Sequence, residues 1–380
     1  MSEHNNALTT ALLKAAGHVF RLRTGEPLTP PRKALILQPC CLSRAMLTTP
    51  LLAALSHAFP EARFDWAVSD WAFQAISTNR RITRLIRTGP GDLNDNDRPR
   101  TRRFLETVRE GEYDTCFVPS QSISMARIAR QTGIPQRIGL DVNGHGFAHS
   151  VPVRPPPGER NTARIYLSLA AAAGADDSFV QTAQMEFHPP DPDRTSVVRW
   201  LIEEFDWLGD APLVILHPGG GENPQKTNLD KRWPAHRYAR LANHLAKTHG
   251  ARFVVVETDE GRALAEEVVG MMSGPAANRA GQMGLGELGA LCELASLYVG
   301  NDVGSTYVAA ASGCPTLTIY GPTDPRVNAP YMLNGQVQTL WREYEGEFNW
   351  NQGVSVEEAG AAADELLLVH ASTSRPKYQS

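Results

Sequence analysis

The chain is short of the features that would carry it across a membrane, onto nucleic acid or into an oxidising compartment. Nowhere do about 18 apolar residues run together, the length a helix needs to cross a bilayer. Its five cysteines, Cys40, Cys41, Cys116, Cys292 and Cys314, are an odd number without a CxxC spacing, which argues against a disulfide framework and a thiolate metal site. Basic charge is not in excess. The net charge is −4 and the pI near 6.3, so no global positive field exists to draw in nucleic-acid phosphates. The opening stretch MSEHNNALTTALLKAAGHVFRLR has neither a long apolar core nor a cleavage signature. The expectation from these absences is a reduced, cytoplasmic protein that holds no metal and binds no nucleic acid.

What is present is apolar residue enough, 42% of 380, to fill more than one core. Residues 7–23 carry an amphipathic helical pattern with Lys14, Arg21 and Arg23 as its basic residues. Packing on the protein is its expected use, and a peripheral contact with the inner face of a membrane stays open. From there, short apolar runs alternate with helical patterns. The first half reads as strands near 34–38, 63–68, 82–86 and 113–118, with helices near 45–59, 71–76, 123–131 and 161–173. Between residues 80 and 103 eight arginines stand against three aspartates, a solvated loop and helix face by composition. A Pro-rich HPPDPD segment at 188–193 suggests a linker, and beyond it the alternation restarts. Two such halves predict an α/β protein of two doubly wound, Rossmann-like domains facing a cleft. The divisions expected are 1–190, 191–345, and a carboxyl-terminal helix and tail over 346–380.

The stretch that organises the second half is LYVGNDVGSTYVAAASGCPTLTIYGPTDP, residues 297–325. It reads as strand, tight turn, helix, strand and a second turn. Ligands of open parallel sheets lie beyond the carboxyl ends of the strands, where both turns fall. Gly304 and Ser305 open the helix, whose first amides lack intrahelical partners and favour an anion such as a phosphate, with Asp302 in the turn before them. A second candidate, HPGGGENPQKTNLDKRWP at 217–234, begins at a strand end and offers His217, Gly219, Gly220, Thr227 and Lys231. Its glycines let amides approach an anion and its lysines add charge, although no GKS or GKT follows, so it is not a Walker loop. Glu257, with Asp259 as second choice, follows the next strand as an acceptor for ribose hydroxyls. For each of these, ordinary βα turns and helix caps remain open on the residues alone.

Taken together, LHPGG…KRWP, GNDVGSTYVAAASGCPTLTIYGPTDP, and KALILQPCCLSRAMLTTPLLAALSHAFPEARFDWAV, joined by YDTCFVPSQS and RIGLD, resemble one family. It is the ADP-heptose:lipopolysaccharide heptosyltransferase family, glycosyltransferase family nine, and the likeness runs over residues 33–331. The resemblance implies a GT-B fold and an inverting, metal-independent transfer of a heptose or similar sugar from a nucleoside-diphosphate donor, ADP-linked, to a cell-envelope glycan or glycolipid. No cofactor is implied. Carried over by position, Lys231 meets the donor phosphates, Asp302 and Gly304 lie in the donor-phosphate turn, and Glu257 meets the ribose. The acceptor would lie near Ser43, Arg44 and the loop of Ser120 and Gln121.

This sequence also departs from the family pattern. The family's Gly-Asp before the TTP segment reads Ser43-Arg44 here, and a guanidinium stays protonated and cannot serve as a base. Tyr307 stands where the family has histidine, Val303 where it has Ser or Thr, and Asn161 where many members carry histidine. Three readings stay open. Asp141, His145 or His149 takes the acceptor proton; or Arg44 holds an anionic acceptor or the leaving diphosphate; or the chain binds a sugar nucleotide without turning it over. An enzyme of the same architecture that epimerises or hydrolyses its sugar nucleotide is a further rival.

Overall fold

The computed structural model of the protein describes residues 28–94, 96–223 and 226–373. The amphipathic pattern at 7–23 lies outside them. The chain divides between Gln184 and Met185 into two compact units.

In the first unit the strands are β1 (Lys33–Leu37), β2 (Arg63–Val68), β3 (Arg84–Arg87), β4 (Thr115–Val118), β5 (Gln136–Leu140) and β6 (Val151–Val153). All pair parallel, in the order β3-β2-β1-β4-β5-β6. Helices α1 (Leu42–Ala58), α2 (Phe73–Ile76), α3 (Arg98–Arg109), α4 (Ile123–Gln131), α5 (Thr162–Ala172) and α6 (Asp177–Thr182) connect and cover them. The second unit opens with α7 (Asp191–Glu203). Its main sheet holds β7 (Leu213–His217), β10 (Arg252–Val255), β11 (Ala276–Asn278), β12 (Leu297–Asn301), β13 (Thr316–Ile319) and β14 (Val337–Leu340). Their order, β11-β10-β7-β12-β13-β14, is again all parallel and repeats the first sheet's winding. A small antiparallel hairpin, β8 (Glu222–Asn223) with β9 (Lys226–Thr227), stands apart from it. Helices α8 (Ala235–His249), α9 (Arg262–Gly270), α10 (Leu285–Leu294), α11 (Gly304–Ala311), α12 (Pro325–Asn328) and α13 (Val356–Thr373) complete the unit.

Local chemistry explains the elements that matter for function. β7, read LVILH, is buried at every position, the run expected of a central parallel strand covered on both faces. α1 is apolar almost all round and buried to match, and it carries Pro50 in its interior. A proline there removes one amide and leaves a carbonyl four residues back unsatisfied. The Thr49 hydroxyl donates to that carbonyl, Met46 O, at 2.7 Å. The Thr-Thr-Pro run therefore carries its own repair.

Other elements differ from the sequence reading for physical reasons. The arginine-rich stretch contains α3, capped by Asp97, whose side chain accepts from Arg100 N, with a proline in its first turn. Thr101, Phe104, Leu105 and Val108 supply its buried stripe among the charges. The HPPDPD segment is half helix, because α7 begins at Asp191 and takes Pro192 into its first turn. The loop at 143–146, flexible by composition, runs into a 3-10 turn at His145–Ala148, with Asn143 at φ 54° and Gly144 at φ 83°.

In each sheet the winding reverses between its two central strands, β1 and β4 in the first, β7 and β12 in the second. The crevice beyond their carboxyl ends is where such a sheet presents a ligand site. No helix among the described residues is long and apolar enough to cross a membrane.

Candidate active site

β7 and β12 deliver two loops to the switch point of the second unit, and one buried amide joins them. Asn301, the last residue of β12, is fully buried, and its Nδ2 donates to Pro218 O at 3.0 Å and Gly219 O at 2.8 Å. Its Oδ1 accepts from Trp233 N at 3.3 Å. Both candidate loops are thus tied by a side chain the sequence reading passed over. Its position in Gly-Asn-Asp, at the end of a buried strand, was the available signal.

Next to it, Asp302 is 8% exposed and fully engaged. Lys231 Nζ lies 2.6 Å from Asp302 Oδ2 and 3.3 Å from its backbone oxygen. Thr323 Oγ1 donates to the same Oδ2 at 2.9 Å, and Tyr307 OH to Oδ1 at 3.0 Å. Tyr307 is buried, and its hydroxyl also lies 2.5 Å from Asn328 O. The tyrosine in place of the family's histidine is therefore a structural clamp on Asp302. An ammonium has three donors, and two contacts here leave a third for a ligand. Lys231 keeps 20% of its side chain exposed, enough to reach one.

Gly304 and Ser305 begin α11, whose N-cap residue, Val303, provides no side-chain cap. The first amides of such a helix are ready donors to an anion. Ser305 Oγ accepts from Tyr298 OH at 3.2 Å, which fixes the first turn from below.

The glycines of the His217 loop have packing reasons as well as any ligand reason. A Cβ on Gly219 would stand 2.0 Å from Glu257 Oε2, and one on Gly220 would stand 2.0 Å from Asn228 O. Glu257 is thereby pressed beneath the loop with its side chain 5% exposed. Its Oε1 accepts from Thr258 N at 2.9 Å, while its Oε2 is buried without a hydrogen-bond partner. His217 is similar. Its Nε2 is 3.8 Å from Glu257 Oε1, its Nδ1 is buried without a partner, and its ring stacks on Tyr298. Buried orphan polar atoms are rare, and a ligand hydroxyl is one way to satisfy them. Asp259 is different, exposed and paired with Arg262 Nη2 at 2.6 Å. Of the two ribose candidates, Glu257 lies beneath the glycine loop and Asp259 stands in solvent. The backbone of Thr227 lies in the hairpin β9; its side chain is outside what the structure describes.

The switch point of the first unit gathers other chemistry. Arg44, in the first turn of α1, donates from Nη1 to Thr162 Oγ1 at 2.8 Å and lies 3.5 Å from the Tyr166 hydroxyl. Asn161 caps α5, accepting from Ala163 N and Arg164 N. Ser43 Oγ is 3.5 Å from Cys41 Sγ, and Ser120 Oγ accepts from Ser122 N at 3.2 Å in the loop after β4. From the 3-10 turn after β5, His145 Nδ1 lies 2.8 Å from Gln121 O. A carbonyl partner makes Nδ1 the protonated nitrogen and leaves Nε2 as a lone-pair acceptor. Asp141 Oδ1 accepts from Gly146 N at 3.1 Å and so braces the turn that carries His145. His149, the third candidate, is buried. Its ring packs on Gly139, where a Cβ would stand 2.5 Å from it, and burial first, then Arg137, pulls its pKa down to about 4.

A family model described as glycosyltransferase family 9 (heptosyltransferase) matches residues 101–349. Lipopolysaccharide heptosyltransferase 2 of Escherichia coli K12 is 24% identical over 319 residues, 82% of this chain and 89% of its own. Lipopolysaccharide heptosyltransferase 1 of Pseudomonas aeruginosa is 24% identical over 312 residues, 79% and 81% of the two chains. Among solved structures, a family 9 glycosyl transferase of Veillonella parvula superimposes with a TM-score of 0.75 at 21% identity, covering 89% of this chain and 97% of that one. The ADP-heptose lipopolysaccharide heptosyltransferase II of Escherichia coli gives 0.68 at 20%, covering 89% and 99%. At these identities the likeness establishes the fold, two doubly wound units of the GT-B kind.

Proposed function

The chain belongs to glycosyltransferase family 9, the heptosyltransferases, and from that premise we propose that it moves a heptose or similar sugar, with inversion, from an ADP-linked donor to a lipopolysaccharide-type acceptor. The observation that carries this reading is Lys231, held by Asp302 at 2.6 Å beside the uncapped start of α11 at a sheet's switch point. A fixed cation with a spare N–H and a helix N-terminus suit a diphosphate in the ground state and suit it better as it leaves with added charge. That stabilisation asks for no metal. The orphan Glu257 Oε2 suits a ribose hydroxyl, which would donate to it. Among solved relatives, a heptosyltransferase of Escherichia coli is described with ADP and with ADP-2-deoxy-2-fluoro heptose, which supports an adenine nucleotide here.

Inversion is a single displacement. The acceptor hydroxyl attacks the anomeric carbon, the diphosphate departs, and one base takes the hydroxyl proton. Arg44 occupies the position of the family's proposed base and stays protonated. His145 is the base in this reading, because its Gln121 contact orients the ring and leaves Nε2 free to accept. Arg44, oriented by Thr162, then serves to bind an anionic group on the acceptor.

Calorimetric titration with ADP, GDP, UDP and ADP-heptose, with sugar transfer to a lipopolysaccharide-core acceptor assayed in the same samples, tests the reading. Saturable binding of ADP with transfer supports it. Binding without transfer makes the chain a silent sugar-nucleotide binder, sugar released without acceptor makes it a hydrolase, and no nucleotide binding removes the donor site.

A further inference from the structure

Cys40 and Cys41 lie between β1 and α1, both half-buried, whereas Cys116, Cys292 and Cys314 are buried in the two cores. The Cys40 thiol points at Cys41 Sγ from 3.3 Å. The two sulfurs stand about 1.3 Å beyond the normal bond of roughly 2.05 Å, and closing that gap makes the eight-membered ring of a disulfide between adjacent residues. Cys41 is also the N-cap residue of α1, a helix of 17 residues, so its sulfur stands at the positive end of a long dipole. Ser43 Oγ lies 3.5 Å from it. These surroundings favour the thiolate. The Cys40 hydrogen bond, opposed by burial and helped by Ser43 and Arg44, draws the Cys41 thiol down to about 6. The same bond, with burial, pushes Cys40 far up and keeps it a thiol. One sulfur is prepared to attack and its neighbour to resolve.

We propose that Cys40 and Cys41 form a peroxide-oxidised dithiol, with Cys41 the attacking sulfur and Cys40 the resolving one, which closes reversibly to a disulfide between adjacent residues. The Cys41 thiolate attacks one oxygen of hydrogen peroxide, the O–O bond breaks, and the departing hydroxide takes a proton to become water. Cys41 is then a sulfenic acid. The Cys40 sulfur attacks it, the S–O bond breaks, and the leaving hydroxide takes the Cys40 proton as a second water. In sum, two thiols and one peroxide give one disulfide and two waters. Closure removes the negative sulfur from beside Arg44, so the oxidised chain presents a different charge at the switch point of its first unit. The inference concerns the first unit's thiols and stands apart from the nature of the sugar donor.

Trypsin isolates the pair in one peptide, ALILQPCCLSR, between Lys33 and the cut after Arg44, which holds no other cysteine. The full-length protein, exposed to hydrogen peroxide at a few equivalents and digested without reductant, is expected to show that peptide lighter by two hydrogens. Dithiothreitol should restore it, and Cys116, Cys292 and Cys314 should remain free thiols. In Cys40→Ser the reaction should stop at a sulfenic acid on Cys41 that dimedone traps, and Cys41→Ser should show neither product. Iodoacetamide labelling of Cys41 should be half-maximal near pH 6. A peptide that stays a dithiol while a free-thiol reference is oxidised overturns the proposal; so does passage of Cys41 to sulfinic acid with no disulfide, or trapping of the sulfenic acid on Cys40. The wild-type mass shift decides the matter even if a variant folds poorly.

Discussion

Lys231 Nζ and Asp302 Oδ2 stand 2.6 Å apart, and the same carboxylate is held from its other side by the Tyr307 hydroxyl at 3.0 Å. The lysine is aimed by a carboxylate that a tyrosine five residues on in the chain helps to hold. Lys231→Met should weaken ADP binding by roughly 10- to 100-fold, the loss of one or two charged hydrogen bonds. It should also destabilise the second unit by on the order of 3 kcal/mol, since Asp302 loses its counter-charge while buried. Titration calorimetry and a thermal melt read the two effects separately.

Tyr307→Phe tests the clamp without touching the cation. The carboxylate keeps Lys231 and Thr323, and the half-buried Asn328 carbonyl keeps the Tyr320 hydroxyl at 3.3 Å. A stability cost of about 1–2 kcal/mol and a several-fold rise in KM for the donor are expected, with kcat little changed. A large fall in kcat at unchanged KM would instead give Tyr307 a part in the chemistry.

Glu257 should discriminate between a nucleoside diphosphate and inorganic pyrophosphate. In Glu257→Gln, affinity for ADP should fall by roughly tenfold while competition by pyrophosphate is unchanged, because only the ribose contact is altered. Gly219→Ala puts a Cβ where Glu257 Oε2 now lies, 2.0 Å away, and should abolish ADP binding even though the new side chain is a single methyl group.

His145→Ala is expected to lower kcat by 10²- to 10⁴-fold, the usual worth of a general base, with the Kd for ADP unchanged. Retention of full activity would return the search for the base to Asp141.

Stability should fall on acidification because of His149. Its pKa is about 4 when folded against 6.5 in the open chain, so the unfolded chain binds the extra proton first. The contribution is fully present above pH 6.5 and is lost as pH falls from there toward 4, in total on the order of 3 kcal/mol. His149→Phe should flatten the dependence of Tm on pH across this window.

The fold was legible where periodicity was clean. β2 and α4 stand at the residues the pattern indicates, because apolar runs of the right length are bounded by turn residues. α3 was hidden by its arginines, whose charge obscured a stripe of only four buried residues. Short strands such as β11 and β14 are specified by their neighbours in the sheet more than by their own sequence. Around the two loops, the chemistry-bearing residue types stood out, as with Lys231, Glu257 and Asp302. Their partners were not, since Asn301 meets Pro218 and Gly219 across more than eighty residues of chain. The glycines illustrate the same limit. Gly219 and Gly220 look like phosphate-loop residues and are equally required by Glu257 and Asn228.

Asn301 joins the two ligand loops through a neutral amide. Such a joint neither titrates nor weakens as counter-ions accumulate, whereas the proposed attraction of Lys231 for a phosphate would weaken in salt. The mouth of the second unit therefore has a frame indifferent to ionic conditions and a grip that answers to them. Nucleotide release could be hastened by salt or by a competing polyanion with no rearrangement of the loops, so emptying and refilling the site would cost the protein no refolding of its own.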